Sequence, residues 1–201
     1  MNAKAKTNKY HHGDLRQALI DTAAQQIAEH GVAAISMRKL GDLVGVSRTA
    51  LYHHFANKGE LLSAVAESGF KKWQNQTEQG LEQSFDNNQQ RLSVYVERYF
   101  EFALNNSAKY ELMFGKEIWR EQQSSEVLEQ LAYKTFEYHV ELIKQWQQQG
   151  VISSAQPALR VAQVTWGTLH GISKLFIDGI YIEQKNLKEL TTTIVALFQP
   201  N

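Results

Sequence analysis

The residues whose types and spacing suit them best to chemistry lie within positions 36–58. Ser36 and Ser47 each precede a short helix-forming run, and Arg38, Arg48, Thr49, Tyr52, His53 and Lys58 surround them with cations and hydrogen-bond donors. An arginine can bond a guanine edge through two hydrogen bonds, whereas hydroxyls, imidazoles and ammonium groups grip phosphate oxygens. The chemistry on offer is therefore recognition of double-stranded DNA. Arg48 and Thr49 are the candidates for base contact. Ser36, Arg38, Tyr52, His53 and Lys58 are the candidates for phosphate contact. Ser47, as a helix cap, would leave a helix N-terminus facing the polyanion.

Catalytic and metal chemistry find little support. The chain has no cysteine, which removes disulfides, thiolate nucleophiles and cysteine zinc sites. No acid or cysteine stands at ligand spacing from His139 or His170, and no nucleophile, base and orienting group form a set. His11-His12 and His53-His54 are adjacent pairs, and neighbours on a helix do not face each other. No enzyme activity, metal or cofactor is expected.

The elements that must position Arg48 and Thr49 read as a helix-turn-helix over 36–55. Ser36 caps a helix to about Val44, Gly45 supplies the left-handed turn, and Ser47 caps a second helix over 48–54. Leu40, Leu43, Val46, Leu51 and Phe55 would pin the two together. A preceding helix over 14–30 carries Leu15, Leu19, Ala23 and Ile27 at four-residue spacing, with Asp14 as its cap and Gly31 as its stop. Lys58 opens a fourth helix. The Gln/Asn/Glu-rich stretch over 74–90 reads as that helix's end and a mobile connection. Five more helices follow, over 89–106, 109–122, 125–149, 157–181 and 184–199. Only two prolines occur and strand-like runs are missing, so the fold expected is all-α, about nine helices.

Charge divides the chain in the same place. Net charge is zero, yet residues 1–60 hold eight Lys and Arg against five acids, and residues 61–201 hold 13 against 16. Five of the seven histidines also lie in the first 60 residues. A basic end on an acidic body suits DNA contact by the first part alone. The domains expected are 1–60, with a tail over 1–12 whose Lys4, Lys6 and Lys9 could touch DNA, and 61–201. No apolar run reaches membrane-spanning length and the first nine residues lack a signal core, so the expected setting is the cytoplasm.

The string Gly45-Val46-Ser47-x-x-x-Leu51-Tyr52-x-His54-Phe55-x-x-Lys58-x-x-Leu61 resembles the signature of the TetR family of bacterial repressors. The opening Tyr10-His11-His12-Gly13-Asp14-Leu15-Arg16 is similar to many members as well. Two positions depart: Gly41 stands where alanine is usual, and Thr49-Ala50 where a small residue followed by threonine or serine is common. The resemblance implies three small DNA-binding helices and a larger helical body that binds a ligand and dimerises. Trp166-Gly167-x-x-His170-Gly171 resembles the motif of one C-terminal branch, named for its Trp, His and Gly.

The second half is compatible with that body. The helix over 157–181 is apolar nearly all round, which demands burial on more than one side. Val161, Val164, Thr168, Ile172 and Leu175, with Leu190, Ile194 and Leu197 from the last helix, are the expected homodimer interface, two helices from each subunit. Phe100, Leu104, Met113, Phe114, Trp119, Phe136, His139, Trp166 and His170 are the expected lining of a pocket for a largely apolar small molecule. The function expected is a homodimeric repressor released from a palindromic operator by that molecule. Two alternatives stand beside it: a DNA-binding protein without an effector, and a helical small-molecule-binding protein or enzyme with a fortuitous helix-turn-helix.

Overall fold

The computed structural model describes residues 12–119, 124–181, 183 and 186–200. Their order is α1 (His12–His30), a 3-10 turn η1 (Val32–Ala34), α2 (Met37–Val44), α3 (Arg48–His54), α4 (Lys58–Leu81), α5 (Asn88–Asn105), α6 (Ser107–Phe114), α7 (Lys116–Trp119), α8 (Glu126–Gln148), α9 (Ala158–Ile177) and α10 (Leu187–Phe198). No strand occurs among the described residues, so the fold is all-α. Lys4, Lys6, Lys9 and the Tyr10-His11 opening lie outside the described residues.

Most boundaries have a local cause. Ser36, Ser47, Asn57, Asn87 and Ser125 each accept a hydrogen bond from the backbone N–H three residues on, at 2.8–3.5 Å. Each such cap stabilises its helix by about 0.5–2 kcal/mol. Gln90 adds a second bond at this end, its Oε1 accepting from the N–H of Asp86, the residue before the cap, at 2.6 Å. Gly45 ends α2 at φ 75°.

Four expectations are corrected. α1 already includes His12, so Asp14 lies within it and is not its cap. The helix expected over 109–122 begins at Ser107 and breaks at Gly115 into α6 and the single turn α7. α9 ends at Ile177, four residues early, because Gly179 turns the chain at φ 72°. Leu43 is 51% exposed, so it pins nothing. It stands about 200° round α2 from Gly41, which faces α3.

The core is continuous. Leu19, Ala23 and Ile27 of α1 meet Leu40, Leu51 and Phe55 of the reading unit, and the same cluster runs through α4 into α5, α6, α8 and α10. α4 is the spine, and the division expected after residue 60 falls in its first turn. Ser125, which caps α8, also donates to the buried Glu67 carboxylate at 2.9 Å, fixing the start of α8 against α4.

Candidate DNA-reading face and ligand cavity

α2 and α3 are joined by a short turn over 45–47. Val46 N–H bonds Gly41 O at 2.9 Å, and Gly45 N–H bonds Asp42 O at 3.2 Å. Leu40, Leu51 and Phe55 are buried beneath, and the Arg16 guanidinium of α1 lies 5.1 Å from the Phe55 ring centre. With that underside fixed, the outer face is free of core duties. Ser36, Arg38, Ser47, Arg48, Thr49, Tyr52 and His53 are all exposed. Arg48 and Tyr52 are four apart on α3, and the guanidinium stands 5.5 Å over the phenol ring. That contact orders the arginine without using its N–H donors.

Lys58 sits apart from this group. Its ammonium donates to Val32 O at 2.9 Å, tying the start of α4 to η1. Two of its three donors remain for a phosphate.

The body holds a cavity of about 710 Å³, bounded by α4, α5, α6, α7, α8 and α9. Met113, Phe114, Trp119, Phe136, His139, Trp166 and His170 line it, as the sequence suggested. Phe100 and Leu104 do not. Phe100 is turned about 100° from Tyr99 and packed in the core, and Leu104 stands half a turn from Tyr95. The residues facing the cavity from α5 are Tyr95, Tyr99 and Phe102, and α4 adds Phe70 and Trp73. The i, i+4 spacing of Tyr95 and Tyr99 was a legible signal for that face.

Most polar side chains in the wall are hydrogen-bonded within the protein. Thr165 has one hydroxyl proton, directed to Val161 O at 2.9 Å and Ala162 O at 3.1 Å. His139 Nε2, 3.0 Å from Thr165 Oγ1, is therefore the donor there, and Nδ1 accepts from the Tyr95 hydroxyl at 2.8 Å. Burial pushes His139 down to about 4, so its ring is neutral. A second chain runs from the Tyr99 hydroxyl to that of Tyr110 at 2.9 Å, and from Tyr110 to His170 Nδ1 at 2.8 Å. Burial, then the nearby Lys174, lowers His170 as well. Desolvation raises both Tyr99 and Tyr110, so their hydroxyls keep their protons. Trp119 Nε1–H bonds Met113 O at 2.8 Å, and Thr135 bonds Leu131 O at 2.8 Å.

A third surface lies on α9 and α10. Val164 is 58% and Leu197 73% exposed, while Val161, Thr168, Ile172, Leu175 and Leu190 are half-buried. Ile194 is a correction: it is buried against the chain's own core. A side chain at Gly171 would meet nothing within 4 Å, so α9 is low and open there; Gly167, equally open, lines the cavity.

No group of three or more His, Cys, Asp or Glu that could hold a metal occurs among the described residues. No described helix is long and apolar enough to cross a membrane.

Comparison with known proteins agrees with this geometry. Residues 19–65 match the family described as "Bacterial regulatory proteins, tetR family", and residues 93–198 match "Tetracyclin repressor-like, C-terminal domain". The transcriptional activator FasR of Mycolicibacterium smegmatis is 32% identical over 116 residues, 58% of this chain and 52% of that protein. The probable acrEF/envCD operon repressor of Escherichia coli K12 is 39% identical over 61 residues, 30% of this chain and 28% of that one. The alignments thus span about half or less of these relatives' lengths. A Rhodococcus protein of unknown function superimposes with TM-score 0.81 at 27% identity, covering 96% of this chain and all of that one. AibR, solved with isovaleryl coenzyme A and operator DNA, shares the fold at TM-score 0.66 and 19% identity, with 92% and 98% covered. The two family matches together cover most of the chain, which belongs to the TetR family of bacterial regulatory proteins.

Proposed function

We propose that this chain is a sequence-specific DNA-binding transcriptional regulator, a homodimeric repressor released from a palindromic operator when a small molecule fills the body cavity. The observation that carries the reading is the outer face of α3. Its N-terminus is capped by Ser47, and Arg48, Thr49, Tyr52 and His53 stand exposed on a unit whose underside is locked into the core. Arg48 and Thr49 reach base edges. Ser36, Arg38, Ser47, Tyr52, His53 and Lys58 hold the backbone. As a reader of chromosomal DNA it works in the cytoplasm.

α4 and α6 are the physical links between cavity and reader. Phe70 and Trp73 line the cavity on the helix that Lys58 opens, and Phe70 is ~18 Å along that helix from Lys58. α6 presents Tyr110, Met113 and Phe114 to the cavity, while Lys109 on it pairs with Asp21 of α1 at 3.9 Å. A Cβ at Gly69 would stand 2.6 Å from Met113 Sδ, so α4 and α6 are in close contact. A ligand that pushes α6 or α4 therefore moves α1 and η1 with it. It shifts the equilibrium only by its difference in affinity between the two positions.

Val164, Thr168, Leu175 and Leu197 form the dimer face, with α9 and α10 of each protomer making a four-helix contact. Selection of genomic fragments on the purified protein, followed by sequencing, tests the proposal. One or a few imperfect palindromes should be enriched. Recovery of random DNA alone would sink it.

A further inference from the structure

We infer that the cavity takes an uncharged, planar, polycyclic aromatic molecule with one hydroxyl or carbonyl directed at His170, an inference that rests on the cavity being the effector site. Three observations carry it.

Charge comes first. Among the described lining residues there is no Asp, Glu, Lys or Arg. Two cations of α9, which forms part of the wall, are already engaged. The Arg160 guanidinium bonds Gln163 Oε1 at 2.8 Å, and the Lys174 ammonium holds Glu111 at 2.9 Å and Asp178 at 2.5 Å. A carboxylate or phosphate in the interior would lose its water and gain no counter-charge. A coenzyme A ester could place only its acyl end inside.

The wall's shape is next. Among the described lining residues the aliphatic ones are Met113 and Ala132; most of the rest are aromatic. Trp73–Tyr99, Tyr110–Phe114 and Phe136–Trp166 meet at interplanar angles of 78°, 66° and 67°. In such edge-to-face pairs one ring keeps faces that its partner does not cover. Exposed ring faces suit a rigid aromatic ligand, which stacks and loses little torsional freedom. A flexible acyl chain gains no stacking and loses more freedom.

The third observation is the shortage of open polar positions. His139 has both nitrogens engaged, and the protons of Trp119 Nε1, Thr135 and Tyr95 are all committed. His170 differs. Its Nδ1 meets Tyr110, and its Nε2 has no hydrogen-bond partner among the described residues. Its ring is sandwiched at 25° to Tyr110 and 28° to Trp166, which fixes the direction of Nε2. Gln163, the other open polar residue of the lining, has its Oε1 taken by Arg160, so His170 is the polar group fixed among the rings, matching one polar group on an aromatic ligand.

The test is titration of the full chain with four probes, read by quenching of the tryptophans at 73, 119 and 166 and by calorimetry. The probes are 9-phenanthrol, phenanthrene, phenanthrene-9-carboxylate and dodecanoate. 9-Phenanthrol should saturate one site per chain and bind at least about tenfold tighter than either carboxylate. His170→Phe should remove most of its advantage over phenanthrene. Ala132→Phe, and Gly167→Leu as a second variant should the first not fold, should weaken it about tenfold or more. Tighter binding of dodecanoate, or of the aromatic carboxylate, would overturn the ligand class and leave the effector site standing. Failure of all four probes to bind, or binding unmoved by the cavity-filling variants, would overturn the site as well.

Discussion

Arg48 is held over Tyr52 on the exposed first turn of α3. Arg48→Ala should weaken binding to the selected operator by about 1–3 kcal/mol and relax preference at one base pair of each half-site. Fluorescence anisotropy against operator variants measures both; unchanged affinity would remove Arg48 from the reading face. His139 makes a different prediction, about stability. Its folded value of about 4 lies below the ordinary 6.5, because burial disfavours the charged ring. The unfolded chain therefore takes up a proton as pH falls below about 6.5, and the folded chain does so only near 4. Stability is fully present above pH 6.5 and lost across that window, by up to about 3 kcal/mol. His139→Gln keeps a donor and an acceptor but cannot titrate. Its thermal midpoint should lie below that of the parent at pH 7, with the gap narrowing as pH falls to 4.5. A gap constant with pH would show that His139 titrates normally.

At the scale of elements, the turn between α2 and α3 was the most legible part of the sequence. Serine caps and a glycine stop act within three or four residues, so they survive in any tertiary setting. Gly41 shows where a local rule and the fold meet. A Cβ there would sit 3.5 Å from Leu51 Cδ1 and from Val46 O, which is ordinary contact. Gly41→Ala should thus stabilise the chain by about 0.5–1 kcal/mol, by restricting the unfolded state, with little effect on DNA affinity. Denaturant unfolding checks this, and destabilisation would mean that the α2–α3 contact has no room. Two misplaced helix bounds had glycine signals, Gly115 and Gly179, inside runs expected as single helices. α6 and α7, on either side of Gly115, both pack on α4. Phe100 and Leu104 were assigned to the cavity by residue type, whereas helix rotation on α4 and α10 put Tyr95, Tyr99 and Phe102 there instead. Ile194 was assigned outward by the same reasoning and is turned inward against the core.

For the whole molecule, the sequence showed a basic reader joined to an acidic body, but not how the two are coupled. That needed the third dimension, because α4 and α6 touch both cavity and reader through residues dozens of positions apart. The exposed surface on α9 likewise has meaning only with its neighbours in place. Val164→Glu should separate the protomers, raising the dimer dissociation constant at least about tenfold in sedimentation while leaving helix content unchanged. An unaltered sedimentation profile would place the dimer contact elsewhere. The most direct test of the central claim is a footprint of the full chain on its selected operator, with the mass of the complex measured alongside. Two protomers should protect two inverted half-sites whose centres lie about 34–36 Å, or a multiple of that, apart. Arg48→Ala should lose both together. A single asymmetric site occupied by one protomer would contradict the account.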